Sequence, residues 1–243
     1  MNQTRLFFSK RVPEPEQMEK IENDVFHEVA KKQYRLWFIP LVDDILEKTH
    51  IGEGKIVDVA CGPGLLVNEL AHRSKKFHVT GIDVSSQAID HAKKNCKGLR
   101  NVELKFASVY GLPFLDDSID LVVCRDSFHH FGRPQKALRE MTRILKPGGY
   151  LYMQDLRRDL PRYLLAQALP RENVFQKLQF YSVRASYTKG EIKTMLEKAS
   201  LDGARIKTRY MTKEMKRRYA KNIPIASLRG SFQAHYVVFA KKK

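Results

Sequence analysis

Asp58 and Asp83 stand at the ends of two short apolar runs, and a turn carrying Gly62 and Gly64 follows the first of them. The stretch Val57-Asp58-Val59-Ala60-Cys61-Gly62-Pro63-Gly64 passes directly into a helical pattern with Leu65, Leu66, Leu70 and Ala71 on one side. Strand, glycine turn and helix in that order let backbone pass close to a nucleotide-like ligand, because a residue without Cβ removes the steric barrier. Asp83, within Gly81-Ile82-Asp83-Val84-Ser85, closes a second strand, where a carboxylate can accept both hydroxyls of a ribose. His129 and His130 follow a fourth apolar run that ends at Cys124-Arg125-Asp126. A neutral imidazole in such a place can take a proton from a reacting group or orient it.

Two more stretches fall in line with these. Ala107-Ser108-Val109-Tyr110-Gly111-Leu112-Pro113-Phe114 is a loop after the third strand, and Leu145-Lys146-Pro147-Gly148-Gly149 precedes the fifth. A dinucleotide loop would want a third glycine near Val67, where there is none, so a nicotinamide cofactor is disfavoured.

The elements that must position these residues alternate. Residues 1–16, with Pro13 and Pro15, read as an arm; residues 17–34 carry Met18, Ile21, Val25, Phe26, Val29 and Ala30 at helical spacing. Leu41, Val42, Ile45 and Leu46 predict a second helix, with Pro40 suited to its first turn. Strands are expected at Ile56–Val59, Phe77–Ile82, Val102–Phe106, Ile119–Cys124, Tyr150–Met153, Ile206–Met211 and His235–Ala240. Between them fall a helix capped by Ser85 or Ser86, one striped by Ala137, Leu138, Met141, Ile144 and Leu145, and one opened by the Thr188/Glu191 capping box. Pro147-Gly148-Gly149 is expected to stop the striped helix. Such alternation implies an open α/β sheet with helices on both faces.

Composition narrows the class. The 243 residues are 43% hydrophobic and 29% charged, as in a globular chain. No apolar run nears the roughly 20 residues of a spanning helix, and Leu6-Phe7-Phe8 is too short for a secretory signal, so a cytoplasmic location is expected. Cys61, Cys96 and Cys124 lack metal-ligand or disulfide spacing, so three reduced buried thiols and no metal are expected. The net charge of +17 is uneven: Arg205 to Lys243 holds twelve basic residues against the single acid Glu214.

Taken together, the glycine loop, Asp83, Ala107–Phe114 and Leu145–Gly149 resemble the class I S-adenosylmethionine-dependent methyltransferases, over about residues 50–155. Val122–Phe131 followed by Leu145–Gly149 resembles their small-molecule and quinone-methyltransferase-like branch. The resemblance implies a Rossmann-like, mostly parallel seven-stranded sheet whose last strand is antiparallel, here with an N-terminal helical cap over residues 1–50. Residues 51–243 would then form the methyltransferase domain, with a substrate lid inserted at about 156–187.

The resemblance also assigns residues. Asp58, Ala60, Cys61, Gly62, Gly64, Asp83, Val84, Ser108, Val109 and Arg125 would hold S-adenosylmethionine, and His129 and His130 are the candidate catalytic groups. Ser108 stands where the family commonly has an acid for the adenine amino group, and a neutral acceptor makes a weaker bond than a charged one. In-line displacement asks little covalent work of the protein beyond alignment and exclusion of water. The lid holds Arg157, Arg158, Arg162, Arg171 and Arg184 with Tyr163, Phe175, Phe180 and Tyr181, which suits either a partly apolar or anionic small molecule or a solvated helix pair with ordinary surface arginines. Arg205–Lys221, with eight basic residues and Tyr210 and Tyr219, fits either RNA phosphates or a solvated strand face. Three functions follow: a small-molecule methyltransferase, an RNA methyltransferase, and a non-catalytic partner that binds the donor. The acceptor atom, O, N, C or S, stays open.

Overall fold

A computed structural model describes residue 8 and residues 10–160, 173–199, 201, 203–209 and 234–243. Its centre is one seven-stranded sheet in the order β3-β2-β1-β4-β5-β7-β6. The strands are β1 Gly54–Val59, β2 Phe77–Asp83, β3 Val102–Phe106, β4 Ile119–Arg125, β5 Leu145–Leu156, β6 Arg205–Thr208 and β7 His235–Lys241. β1 pairs in parallel with β2 and β4, β2 with β3, and β4 with β5; β7 alone runs antiparallel, between β5 and β6. The expected sheet and its reversed last strand are both present.

The central strands are apolar because helices cover both their faces. Leu121, Val122, Val123 and Cys124 are all fully buried. α4 Leu65–Arg73 and α5 Ser86–Asn95 follow β1 and β2, and the Ser85 hydroxyl caps α5 by accepting from the Ala88 N–H at 3.2 Å. α6 Pro134–Ile144 lays Ala137, Leu138, Met141 and Ile144 into the core at the i, i+1, i+4, i+7 spacing of one helix face. Before the sheet come α1 Lys20–Lys32, α2 Tyr34–Trp37 and α3 Ile39–Thr49, the last with Pro40 in its opening turn. α7 Val174–Ala185 and α8 Lys189–Glu197 lie between β5 and β6, and the Thr188–Glu191 capping box is formed. No helix among the described residues is long and apolar enough to cross a membrane.

Two boundaries differ from expectation. The striped helix ends at Ile144, before Pro147, because Leu145 is already extended and pairs with Ile119. Lys146-Pro147-Gly148-Gly149 therefore lies within β5, where the register shifts between Ile119 and Leu121. β6 ends at Thr208, and residues 210–211 of the expected sixth strand lie outside the described residues.

Candidate active site

The strand order reverses between β1 and β4, and a cavity of about 320 Å³ opens beyond the carboxyl ends of these two strands. This is where an open α/β sheet leaves a crevice, since the connections diverge to opposite faces. The volume is in the range of small-molecule sites, about 300–1,000 Å³. Both strands enter it through strained residues: Ala60, after β1, has φ 58° and Asp126, after β4, has φ 49°. Left-handed backbone at residues with a Cβ is costly and persists where the surroundings enforce it. Ser127 donates its hydroxyl to the carbonyls of Arg125 at 2.8 Å and Ala60 at 3.4 Å, tying the two strand ends together.

Nine of the ten residues expected to bind the methyl donor line this cavity: Asp58, Ala60, Cys61, Gly62, Asp83, Val84, Ser108, Val109 and Arg125. Gly64 does not. It caps α4 at φ 71°, and a Cβ there would lie 2.7 Å from the Ala92 Cβ, so its glycine serves the close approach of α4 and α5. Asp83 accepts the N–H of Gly62 at 2.8 Å and of Ser85 at 2.8 Å, which holds the glycine loop against the end of β2. Burial raises the Asp83 carboxyl above its usual range despite these bonds. Burial pushes the Asp58 carboxyl up to about 8; the Arg125 charge opposes this and the Asp83 charge adds to it. The Ser108 hydroxyl accepts the N–H of Tyr110 at 3.3 Å.

At the other end of the cavity the two histidines occupy different environments. His129 is buried, its backbone N–H donating to Asp155 Oδ2 at 2.7 Å and its ring Nδ1 facing Asp155 Oδ1 at 2.6 Å. Nε2 is also buried and has no hydrogen-bond partner. Burial favours the neutral ring, but the Asp155 charge and hydrogen bond outweigh it and raise the His129 pKa. His130 sets Nδ1 2.9 Å from the Pro15 carbonyl. Burial, and then the His129 charge, push the His130 ring down to about 3, so it is neutral at pH 7. The arm brings a third group: Glu14 Oε2 lies 3.7 Å from His129 Nε2 and 3.8 Å from His130 Nδ1, buried and without a hydrogen bond. Burial raises the Glu14 carboxyl, with the His129 charge and then a hydrogen bond from the Ser182 side chain working against it.

Asp155 and Glu14 were not among the residues singled out in the sequence. Asp155 had a signal, an acid near the carboxyl end of a parallel strand, as Asp83 is. Glu14 had none, because it reaches the site only when the arm folds across the cavity. There Arg11 donates to the Ala185 carbonyl at 2.5 Å and the His129 carbonyl at 2.7 Å. Glu16 accepts from the Tyr110 hydroxyl and, at 2.8 Å, from the Gly132 N–H.

The lid contributes differently from expectation. Phe175, Leu178, Gln179 and Ser182 of α7 line the cavity together with Trp37 and Phe38, so this wall is largely apolar. Arg158 is instead buried in a two-pronged contact with Glu191 at 2.7 and 2.9 Å, and Arg157 pairs with Asp159 at 2.7 Å. Neither these two nor Arg184, Phe180 or Tyr181 line the cavity, while Arg162, Tyr163 and Arg171 lie outside the described residues. Along β6 the exposed Arg205 and Lys207 alternate with half-buried Ile206 and Thr208, the pattern of a solvated strand face. Tyr210 to Lys221, with Tyr219, lie outside the described residues.

These residues fit S-adenosylmethionine. A Cβ on Gly62 would meet no atom within 4 Å, so the loop leaves open space on the wall that Asp83, Ser108 and Val109 share.

A family model described as a methyltransferase domain matches residues 52–200. The chain is 32% identical over 105 residues to an uncharacterized methyltransferase of Bacillus subtilis, covering 42% of this chain and 41% of that protein. It is 28% identical over 165 residues to the ubiquinone biosynthesis O-methyltransferase of Chromobacterium violaceum, covering 61% of this chain and 68% of the other. Such matches span less than half the length of several curated relatives. A SAM-dependent methyltransferase from Aquifex aeolicus superposes with a TM-score of 0.64 at 20% identity, over 93% of this chain and 100% of that one, and so shares the fold.

Proposed function

The chain belongs to the methyltransferase domain family, and on that premise we propose that it is an S-adenosylmethionine-dependent methyltransferase acting on a small molecule in the cytoplasm. The observation that carries this reading is a single cavity that joins the Gly62–Asp83 loop to the histidine end of the site. The relative from Chromobacterium violaceum, named for ubiquinone biosynthesis, supports a small acceptor. So does the wall of Trp37, Phe38, Phe175 and Leu178, which suits a partly apolar molecule.

Asp83 is placed to accept the ribose hydroxyls, since each of its oxygens has spent one lone pair on a backbone N–H and keeps another. Gly62 and Ala60 offer backbone to the donor's amino-acid end, and Ser108 and Val109 flank its base. Bound there, S-adenosylmethionine supplies an electrophilic methyl group on a positively charged sulfur. Phe38, Trp37 and the arm keep water from the reacting atoms, so alignment supplies most of the acceleration. His129 lines the same cavity and would act on the acceptor from there, with Asp155 fixing its ring.

Equilibrium titration tests the donor half. Binding of S-adenosylmethionine and S-adenosylhomocysteine at one site per chain is expected; no binding of either overturns the reading. Mass spectrometry of a cell extract supplied with a labelled methyl donor then tests the acceptor. A labelled small molecule is expected, and label confined to RNA overturns the small-molecule assignment.

A further inference from the structure

We propose that Glu14, His129 and His130 form a binding site for one divalent transition-metal cation, of the zinc, cobalt or manganese kind, at the acceptor end of the cavity. The inference deepens the methyltransferase reading, because the cation would sit where that reading places the acceptor.

Three observations carry it. One ligand atom from each of the three residues falls within 4.8 Å of the others. Glu14 Oε2 and His129 Nε2, 3.7 Å apart, are too distant to hydrogen-bond each other, and both are buried with no other hydrogen-bond partner. Two polar atoms left bare in the interior are uncommon, and each is costly unless something fills the space between them. Ligands about 2.0–2.2 Å from a cation lie roughly 3–3.5 Å from one another, so the Glu14–His129 pair closes with a few tenths of an ångström and the His130 ring with a shift of up to about 1.3 Å.

The third observation is what lies behind the ligands. The Asp155 carboxylate takes Nδ1–H of His129 at 2.6 Å, which fixes the tautomer with its lone pair on Nε2 and makes that nitrogen a stronger donor. The Pro15 carbonyl accepts Nδ1–H of His130 at 2.9 Å, so His130 would bind through Nε2 and not through the Nδ1 that lies 3.8 Å from Glu14. A carboxylate or carbonyl behind each imidazole is the arrangement that metal-bound histidines require. Two imidazoles and one carboxylate favour a borderline transition metal over magnesium or calcium, which prefer all-oxygen shells. Three protein ligands leave positions open, through which a bound cation holds and polarises an acceptor oxygen or nitrogen.

The test is a cobalt(II) titration of the full chain, freed of metal with a chelator, followed by visible absorption. The expected result is a d–d band that saturates at one cobalt per chain and is displaced by zinc. Glu14→Gln and His130→Gln are each expected to weaken cobalt binding at least tenfold, and Asp155→Asn by roughly 10–100-fold, as for other groups that support a ligand. Glu14 lies on the arm, outside the hydrophobic core, so its variant is expected to unfold within a few degrees of the parent. Absence of the band at millimolar cobalt overturns the proposal, as does a Glu14→Gln variant that folds and binds cobalt with the parent's affinity. The same preparation titrated with S-adenosylhomocysteine without metal separates the two readings: donor binding without cobalt binding removes the metal alone.

Discussion

The Asp155 carboxylate clasps His129 twice, taking its backbone N–H at 2.7 Å and its ring Nδ1–H at 2.6 Å. One acid thus fixes both the position and the tautomer of the histidine. Asp155→Asn keeps the shape but brings an amide whose N–H₂ cannot accept from the ring. The expected outcome is a mixture of ring tautomers at His129 in ¹⁵N NMR spectra, where the parent shows a single one. Methyl transfer is expected to fall about 10–100-fold with donor affinity unchanged. A parent-like spectrum would mean that Asp155 does not set the tautomer.

Asp83 joins the glycine loop to the proposed ribose position. Asp83→Ala removes an acceptor of two backbone N–H groups and of the sugar hydroxyls. Hydrogen bonds to charged groups contribute about 1.5–3 kcal/mol. S-adenosylhomocysteine affinity should therefore drop roughly 10–100-fold, read by calorimetric titration.

At Ser108 the opposite change is informative. Ser108→Asp supplies a charged acceptor where the hydroxyl now binds the Tyr110 N–H. A charge-assisted bond is roughly twice as strong as a neutral one, so donor affinity should rise about tenfold. An unchanged affinity would place the adenine amino group elsewhere.

Gly64 separates packing from binding. Gly64→Ala places a methyl group 2.7 Å from the Ala92 Cβ at a backbone φ of 71°. The expected cost is about 2–4 kcal/mol in urea unfolding, from the clash and the left-handed strain together. Adding Ala92→Gly should relieve the clash and return part of that loss, leaving the conformational cost. No recovery would mean that the contact with α5 is not what requires glycine.

Asp58 gives stability a pH dependence. Its carboxyl is pushed up to about 8 in the folded protein, against about 4 in the unfolded chain. Below pH 4 both states hold the proton, and no stability is lost through this group. As pH rises the unfolded state releases its proton first, so stability falls until about pH 8 and then levels. Asp58→Asn abolishes this slope and should gain up to about 5 kcal/mol at pH 8. Thermal unfolding of both proteins between pH 4 and 9 checks it; parallel curves would show that Asp58 ionises normally.

The donor half of the site was legible because its signals are local. An apolar run, an acid and a glycine turn are a few residues apart, and the pattern of β1 and α4 is set by side chains within them. Ser85 likewise announced its own cap. The acceptor half is assembled by long-range contacts. Glu14 meets His129 across more than a hundred residues, and only the tertiary path of the arm brings them together. The partners of the lid arginines were hidden for a related reason: a guanidinium in sequence carries no record of its partner. Glu191, which neutralises Arg158, stands a full helix and turn away. Leu145 showed the limit of periodicity, since its place on the helical stripe could not reveal that it pairs with Ile119.

β7 is inserted between β5 and β6, pairing with seven residues of β5 along one edge and four of β6 along the other. In order of synthesis it comes after both. A nascent chain on the ribosome therefore carries β5 with one edge open, and β6 with no neighbour, until residues 235–241 emerge. Closure of the sheet on that side waits for residues 235–241, and until they emerge the free edge of β5 can pair with a strand of another chain.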